Sequence, residues 1–194
     1  MSEFLFLFPI QPYLDGVIGE KGERWTHSDL LAPRLNVLID KRYRQNGYGV
    51  NWVFFSEESD PSSPDWSLKA PEFNIEPEDR ILTAGVPLSL FLENKTYPEP
   101  EHILGQLPEH SSLRVGGFHQ WDCVSKVAKA AYGKGTDVRV DEDTTELFFL
   151  QGSRSCYIPM VRDVKYLLMD QTDPLYEMAK MGRAERPWFA QIVP

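Results

Sequence analysis

The sequence predicts a three-layer α/β/α domain with a mostly parallel sheet, and one stretch supplies the main evidence. Residues 113–118 read LRVGGF, a short apolar strand that ends in two glycines. Apolar side chains then recur at helical spacing over residues 122–132, and a second strand covers residues 138–141. A strand, a helix and a strand in this order connect two parallel neighbours by a right-handed crossover. We therefore expect these two strands to lie side by side in one sheet.

The elements before residue 113 alternate in the same way. An apolar run at residues 4–10 has the composition of a central strand that is buried on both faces. The proline-rich residues 56–78 are expected to form a long loop or lid. The other predicted elements are a helix from about Pro33, strands at residues 50–55 and 81–82, a short connecting segment at residues 89–91 and a helix near residues 103–107.

The chain after residue 141 gives weaker signals. Residues 143–146 resemble a capping box, which predicts a short helix that Gly152 would close. Residues 161–169 are apolar and fit either a strand or a helix. The whole chain, residues 1–194, is interpreted as a single domain in which residues 170–194 form a C-terminal tail.

Composition narrows the class of protein. The chain has 194 residues, 42% of them hydrophobic, and a formal net charge of −9 at pH 7. An acidic chain with no basic stripe argues against nucleic acid and anionic membranes as partners. No apolar run approaches the roughly 18 residues that span a bilayer. Two cysteines do not make a disulfide framework, so a reduced, cytoplasmic protein is the simplest interpretation.

Cys123 stands where a functional thiol is expected. It lies in the first turn of the predicted helix, at the carboxyl end of a strand, where open α/β sheets bind ligands. A helix N-terminus lowers the pKa of a thiol from about 8.5. His119 and Asp122 flank it as a candidate base and a charged neighbour. The competing interpretation makes Cys123 a small buried residue, His119 a packing or capping group and Asp122 a helix cap.

The same turn resembles that of the isochorismatase-like cysteine hydrolases. Their turn has the form Gly-x-x-Thr-x-x-Cys-Val, and Gly117, Cys123 and Val124 stand at those positions. Weaker matches extend over residues 4–150. These are Gln11 after the first strand and Ser89–Phe91 for a Ser-Ala-Phe motif. Around the turn itself the match also includes alanines at 128, 130 and 131, Gly135 before the next strand, and Asp141 at the end of that strand. The resemblance implies an isochorismatase-like, Rossmann-like fold.

The resemblance also implies a reaction whose other groups are missing. In that family an Asp takes the thiol proton, a Lys stabilises charge and the Cys attacks a carbonyl or imine carbon. Pro9 stands at the Asp position, Gly85 at the Lys position and Gln120 at the turn Thr. Some nicotinamide-hydrolysing members bind a metal through Asp and His after the second strand, but residues 56–78 contain no His. We therefore expect no metal and no cofactor, and weak or absent hydrolysis of isochorismate or nicotinamide.

Two functions remain open. One is a divergent cysteine hydrolase of a small amide-like or ester-like substrate, with Cys123 as nucleophile and His119 as a candidate base. The other is a non-catalytic protein that binds a small molecule or assembles with partners. In either case, the expected ligand contacts are Gln11, Gly117, Phe118, Gln120, Trp121 and Asp122.

Three further expectations concern the thiol, the acidic residues and assembly. Opposing effects of the helix terminus and Asp122 predict a Cys123 pKa modestly below 8.5, with faster alkylation than at Cys156 and slower alkylation after His119→Ala. Residues 141–143 could ligate a hard cation, although an acidic strand end explains them more simply. Apolar residues in the tail and the family resemblance predict a homo-oligomer, with burial of the tail in its own chain as the alternative.

Overall fold

Five parallel strands form the centre of the protein, whose computed structural model describes residues 1–13, 31–94, 96–145, 147–151, 154–158 and 186–189. The strands lie in the order β3-β2-β1-β4-β5. Their bounds are β1 Ser2–Leu7, β2 Gly49–Ser56, β3 Arg80–Pro87, β4 Ser112–Gly117 and β5 Asp137–Thr145. Leu113 pairs with Val138 and Val115 with Val140, in parallel. The predicted pairing of these two strands is confirmed.

Within the described ranges, four α-helices accompany the sheet: α1 Leu31–Arg42, α2 Leu88–Asn94, α3 Pro100–Gly105 and α4 Ser125–Gly133. Residues 4–7 of β1 are all buried, and successive side chains of a strand point to opposite faces. Both faces of the central strand are therefore covered, which is the layered α/β arrangement that the sequence predicts. Helices α3 and α4 contact each other, and α4 packs on β4 and β5.

Two local predictions are wrong. Residues 89–91 lie in α2 rather than in an irregular connection. Residues 143–145 continue β5, and a hairpin of β6 (Leu147–Gln151) and β7 (Arg154–Ile158) follows where a short helix was expected. Two adjacent threonines at 144 and 145 explain the difference, because β-branched side chains favour strands over helices. Gly152 and residues 161–169 lie outside the described residues.

The loop at residues 56–78 is tied to the sheet. The backbone of Ala70 donates to the carbonyl of Pro9 at 3.0 Å, and Phe73 is buried. Isolated β-bridges join Ile10 to Lys69 and Ser56 to Pro64. A short 3₁₀ helix, Trp66–Leu68, lies between these anchors. The loop therefore packs as part of the domain along the strand ends.

A short piece of the C-terminal tail packs on the same chain. The 3₁₀ helix Pro187–Phe189 buries Trp188 and Phe189 against β5 and α4. The indole of Trp188 donates to Ser125 Oγ at 3.4 Å, and Arg139 donates to the carbonyl of Pro187 at 3.0 Å. Trp188 and Phe189 are therefore buried within their own chain, which was the alternative to burial at a subunit interface. The homo-oligomer stays a prediction. None of the helices in the described ranges has the length and apolar character needed to cross a membrane.

Candidate functional site

Gly117 closes the space between two strand ends. It has a φ of +105°, and a β-carbon there would lie 2.2 Å from the carbonyl oxygen of Leu7. The amide of Phe118 donates to that same carbonyl at 3.1 Å. The next peptide bond, between Phe118 and His119, is cis. A residue with a side chain does not fit at 117, so this glycine sets where the following residues begin.

Residues 117–124, which we call the cysteine turn, precede the regular helix. Residues Gln120–Val124 form a π-helical turn in which Asp122 has non-helical dihedrals, φ −115° and ψ −108°. The amides of Asp122 and Val124 both donate to the carbonyl of His119, at 3.1 and 3.3 Å. The α-helix begins only at Ser125. Cys123 therefore lies just before the helix and not in its first turn, a correction that the irregular backbone at Asp122 explains.

Cys123 is a buried, neutral thiol. Its exposed fraction is 6%, and burial, reinforced by the negative charge of Asp122, raises the pKa of the thiol to about 12. Lys126 and a hydrogen bond from the backbone of Cys123 lower this pKa but do not offset burial. The expected modest depression below 8.5 is therefore wrong, because the turn is covered more deeply than its place at a strand end suggests.

His119 packs among aromatic rings. Its imidazole centroid lies 5.0 Å from that of Tyr13 and 6.0 Å from that of Phe118. The charged side chains that shift the thiol pKa are Asp122 and Lys126 rather than His119. The role of His119 as a general base stays a prediction, as does a contact of Phe118 with a ligand.

The side chains of Gln120 and Asp122 tie the cysteine turn to its surroundings. The fully buried amide of Gln120 donates to Glu142 at 3.1 Å and accepts from Thr145 at 2.8 Å. Asp122 forms an ion pair with Lys126 at 2.7 Å. These contacts hold the turn against β5 on one side and α4 on the other. Ligand contacts by Gln11, Gly117, Gln120 and Asp122 stay predictions, and the side chain of Trp121 lies outside the described part.

A buried ion-pair cluster supports β5 close to the turn. Asp141 is 2% exposed and accepts two hydrogen bonds from Arg42, each at 2.7 Å, and one from Tyr43 at 2.5 Å. Arg42 also reaches Asp143 at 3.0 Å. Burial and then the carboxylate of Asp141 raise the pKa of Tyr43 well above 10. Burial opposes the charge of Arg42, but attraction to Asp141 outweighs burial and raises the pKa of Arg42.

This cluster bears on the cation site considered for residues 141–143. Asp141 and Asp143 already share the guanidinium of Arg42. Across the described ranges, no three His, Cys, Asp or Glu side chains come together as a metal site would require. Arg42 and Tyr43 were not predicted as partners, since about 100 residues separate them from Asp141 and no local motif links them.

The position that matches the family Lys is filled by another side chain. Gly85 has a φ of +71°, and a β-carbon there would lie 2.9 Å from Nε2 of His102. A cavity of about 350 Å³ opens beside it, lined by Pro61, Ser62, Ala84, Gly85, Val86, Glu99 and His102. A side chain at position 85 would therefore take an unfavourable backbone angle and displace the exposed imidazole of His102.

Comparison with known proteins gives structural matches only. The chain matches no family model, and no curated protein matches it significantly. The structure is similar to an isochorismatase from Pseudomonas putida KT2440, with a TM-score of 0.54 and 19% identity over 93% of this chain and 82% of that one.

Two further similar structures have lower scores. An isochorismatase family protein from Desulfovibrio vulgaris subsp. vulgaris str. Hildenborough has a TM-score of 0.49 and 13% identity, over 93% of this chain and 90% of that one. The pyrazinamidase of Pyrococcus horikoshii, in complex with zinc, has a TM-score of 0.48 and 11% identity, over 93% and 96%. The assignment depends on the Pseudomonas structure, together with the parallel five-stranded sheet: the chain has the isochorismatase-like fold.

Proposed function

We propose that the protein is a non-catalytic member of the isochorismatase-like group and acts by binding a small molecule. The observation that supports this most is the state of Cys123. Its thiol is 6% exposed with a pKa of about 12, and Pro9 stands where the family carries its proton acceptor. A protonated thiol that lacks the family's carboxylate base loses much of its activation, since acid–base help is typically worth about 10²–10⁴-fold in rate.

The second missing group supports the same proposal. A lysine side chain at position 85 would meet His102, and the positive φ of Gly85 opposes it further. His102 is exposed at the rim of the neighbouring cavity. With Gly85 at the family's Lys position, the cation that stabilises a developing oxyanion in that family is not supplied from position 85.

The test is hydrolysis by the purified full-length protein, with isochorismate, nicotinamide and pyrazinamide as substrates. We expect product formation at the rate of the buffer blank, and the same rate for Cys123→Ala. Turnover well above the blank that Cys123→Ala abolishes would overturn the proposal. Circular dichroism of both proteins, matched in thermal midpoint, ensures that the variant is folded.

One observation favours the divergent hydrolase as a second candidate. Gly117 places the cysteine turn against Leu7, so that Cys123 follows a tight turn at the carboxyl end of β4, as in the family motif. Lys126 lowers the thiol pKa, in the direction that a nucleophile needs. A panel of small chromogenic amides and esters, assayed with the protein and with Cys123→Ala, separates the two candidates, because only the hydrolase shows turnover that the substitution removes.

A further inference from the structure

A groove of about 650 Å³ runs between α3 and α4. We call it the lysine groove. One wall is the segment from Tyr97 to Glu101. The other is one face of α4 together with the residue that caps its C-terminus, and it is formed by Lys126, Lys129, Ala130, Gly133 and Lys134. These α4 positions recur at intervals of three and four residues, so they share one side of the helix. The volume falls within the range of about 300–1,000 Å³ that small-molecule sites occupy.

One of the three lysines is already committed to the protein. Lys126 forms the ion pair with Asp122 at 2.7 Å and lies over the ring of Tyr97, with Nζ 3.1 Å from its centroid. This cation–π contact holds the Tyr97 ring in place at the end of the groove. The charge of Lys126 is therefore largely balanced before any ligand arrives.

Four further charged residues line the groove, two on each side. Lys129 and Lys134 lie on the α4 wall, and Glu99 and Glu101 lie on the opposite wall. None of the four forms an ion pair with another described residue, whereas Lys126 does, and six further ion pairs occur elsewhere in the described ranges. The groove thus holds two cations on one wall, beside the small residues Ala130 and Gly133, and two anions on the other, and none of the four has an ion-pair partner in the described ranges.

We propose that the lysine groove binds a zwitterionic small molecule. Its carboxylate pairs with Lys129 and Lys134, and its ammonium group pairs with Glu99 and Glu101. A simple anion would meet the two glutamates and a simple cation the two lysines, so only a ligand with both charges is matched on both walls. The inference rests on the proposed function, since it supplies a ligand site for a binding protein.

The experiment measures binding of glycine, diglycine and triglycine, which are zwitterions of increasing charge separation, by NMR titration of the full chain. N-acetyl-triglycine and triglycine amide are the matched ligands that carry only one charge. We expect at least one zwitterion to bind about tenfold more tightly than either capped peptide, with shifts confined to groove residues. Equal affinity for zwitterion and capped peptides, or no binding of any of the three at 20 mM, would overturn the proposal.

Variants of each wall make the test specific. In Lys129→Gln/Lys134→Gln the advantage of a free carboxylate over the amide should vanish, while the advantage of a free ammonium group remains. Glu99→Gln/Glu101→Gln should show the reverse. The control is Arg34→Gln/Lys41→Gln, which removes two exposed cations of α1 and should change neither advantage. Loss of both advantages in every variant would indicate an effect of net charge and would contradict the groove.

Failure of this inference is separable from failure of the proposed function. Hydrolysis that depends on Cys123 would overturn the proposed non-catalytic function. The binding preferences measured for the groove would still stand, because they do not depend on the thiol. A groove without any zwitterion preference would remove the site and leave the inert thiol untouched.

Discussion

The cysteine turn and the lysine groove lie at two ends of one ion pair, Asp122–Lys126, and they differ in almost every physical respect. The turn is buried, and its polar groups are engaged by β5 and α4. The groove is open to solvent, and four of its charged groups have no ion-pair partner within the described residues. The first region resembles a catalytic site in sequence, but its thiol is buried and protonated. The second matches no motif yet has charged groups available for a ligand.

This difference teaches where function can be sought when a family motif is incomplete. Burial raises the pKa of a thiol unless nearby charged groups favour the thiolate. A buried cysteine that lacks the family's base and cation therefore stays protonated. Exposed charges on a helix face carry no sequence signature, since single lysines and glutamates are common on any surface.

The largest effect is expected at Gly117. Replacing it with alanine puts a β-carbon 2.2 Å from the backbone of Leu7 at a φ of +105°. We expect Gly117→Ala to lower the free energy of unfolding by about 4 kcal/mol, as strain and overlap add. Urea denaturation measures the loss. Gly133→Ala, where the space within 4 Å is empty, is the control from the groove and should be neutral or slightly stabilising. A loss below about 1 kcal/mol at Gly117 would show that the turn is not rigid.

A smaller effect is expected at the cluster behind the turn. Arg42→Met removes the cation that contacts both oxygens of the buried Asp141. We expect a loss of about 3 kcal/mol in the free energy of unfolding, since an uncompensated buried carboxylate is left. The exposed neighbour Lys41→Met serves as control and should change stability by less than about 0.5 kcal/mol. Equal losses in the two variants would show that the Arg42–Asp141 pair contributes nothing specific.

The smallest effect concerns the thiol and its pH dependence. With a pKa of about 12, Cys123 in folded Cys156→Ser protein should be alkylated by iodoacetamide at a rate that rises roughly tenfold per pH unit from 7 to 10, without a plateau. Because the folded pKa is raised, this thiol favours the folded state below about pH 8.5, and that advantage is lost as the pH rises towards 12. A plateau below pH 9 would mean an activated thiol and would support the hydrolase.

Two variants of the same protein sharpen that measurement. Asp122→Asn should speed alkylation a few-fold, because the carboxylate of Asp122 raises the thiol pKa. Lys126→Gln should slow it, because Lys126 lowers that pKa. Opposite changes, followed by mass spectrometry at pH 9, would contradict the electrostatic account of the turn.

The sequence predicted the sheet well because its signals are local. Residues 113–118 and 138–141 show strand patterns, and the alanine-rich stretch between them shows a helical one, so the crossover follows from general rules. The helix start was misplaced because the π-turn depends on tertiary contacts of Gln120 with Glu142 and Thr145. The thiol pKa was missed because it depends mainly on how deeply Cys123 is buried, and no local pattern in the sequence gives that depth.

Gly85 and His102 bear on the mutational routes open to this protein. A change of Gly85 to lysine would meet both an unfavourable backbone angle and the imidazole of His102. A chain that regained only the acidic group at position 9 would still lack the cation, and one that regained only the lysine would be strained. Recovery of the family chemistry therefore needs substitutions at several sites before any of them is useful. Single substitutions toward the family residues are therefore expected to leave hydrolysis unchanged.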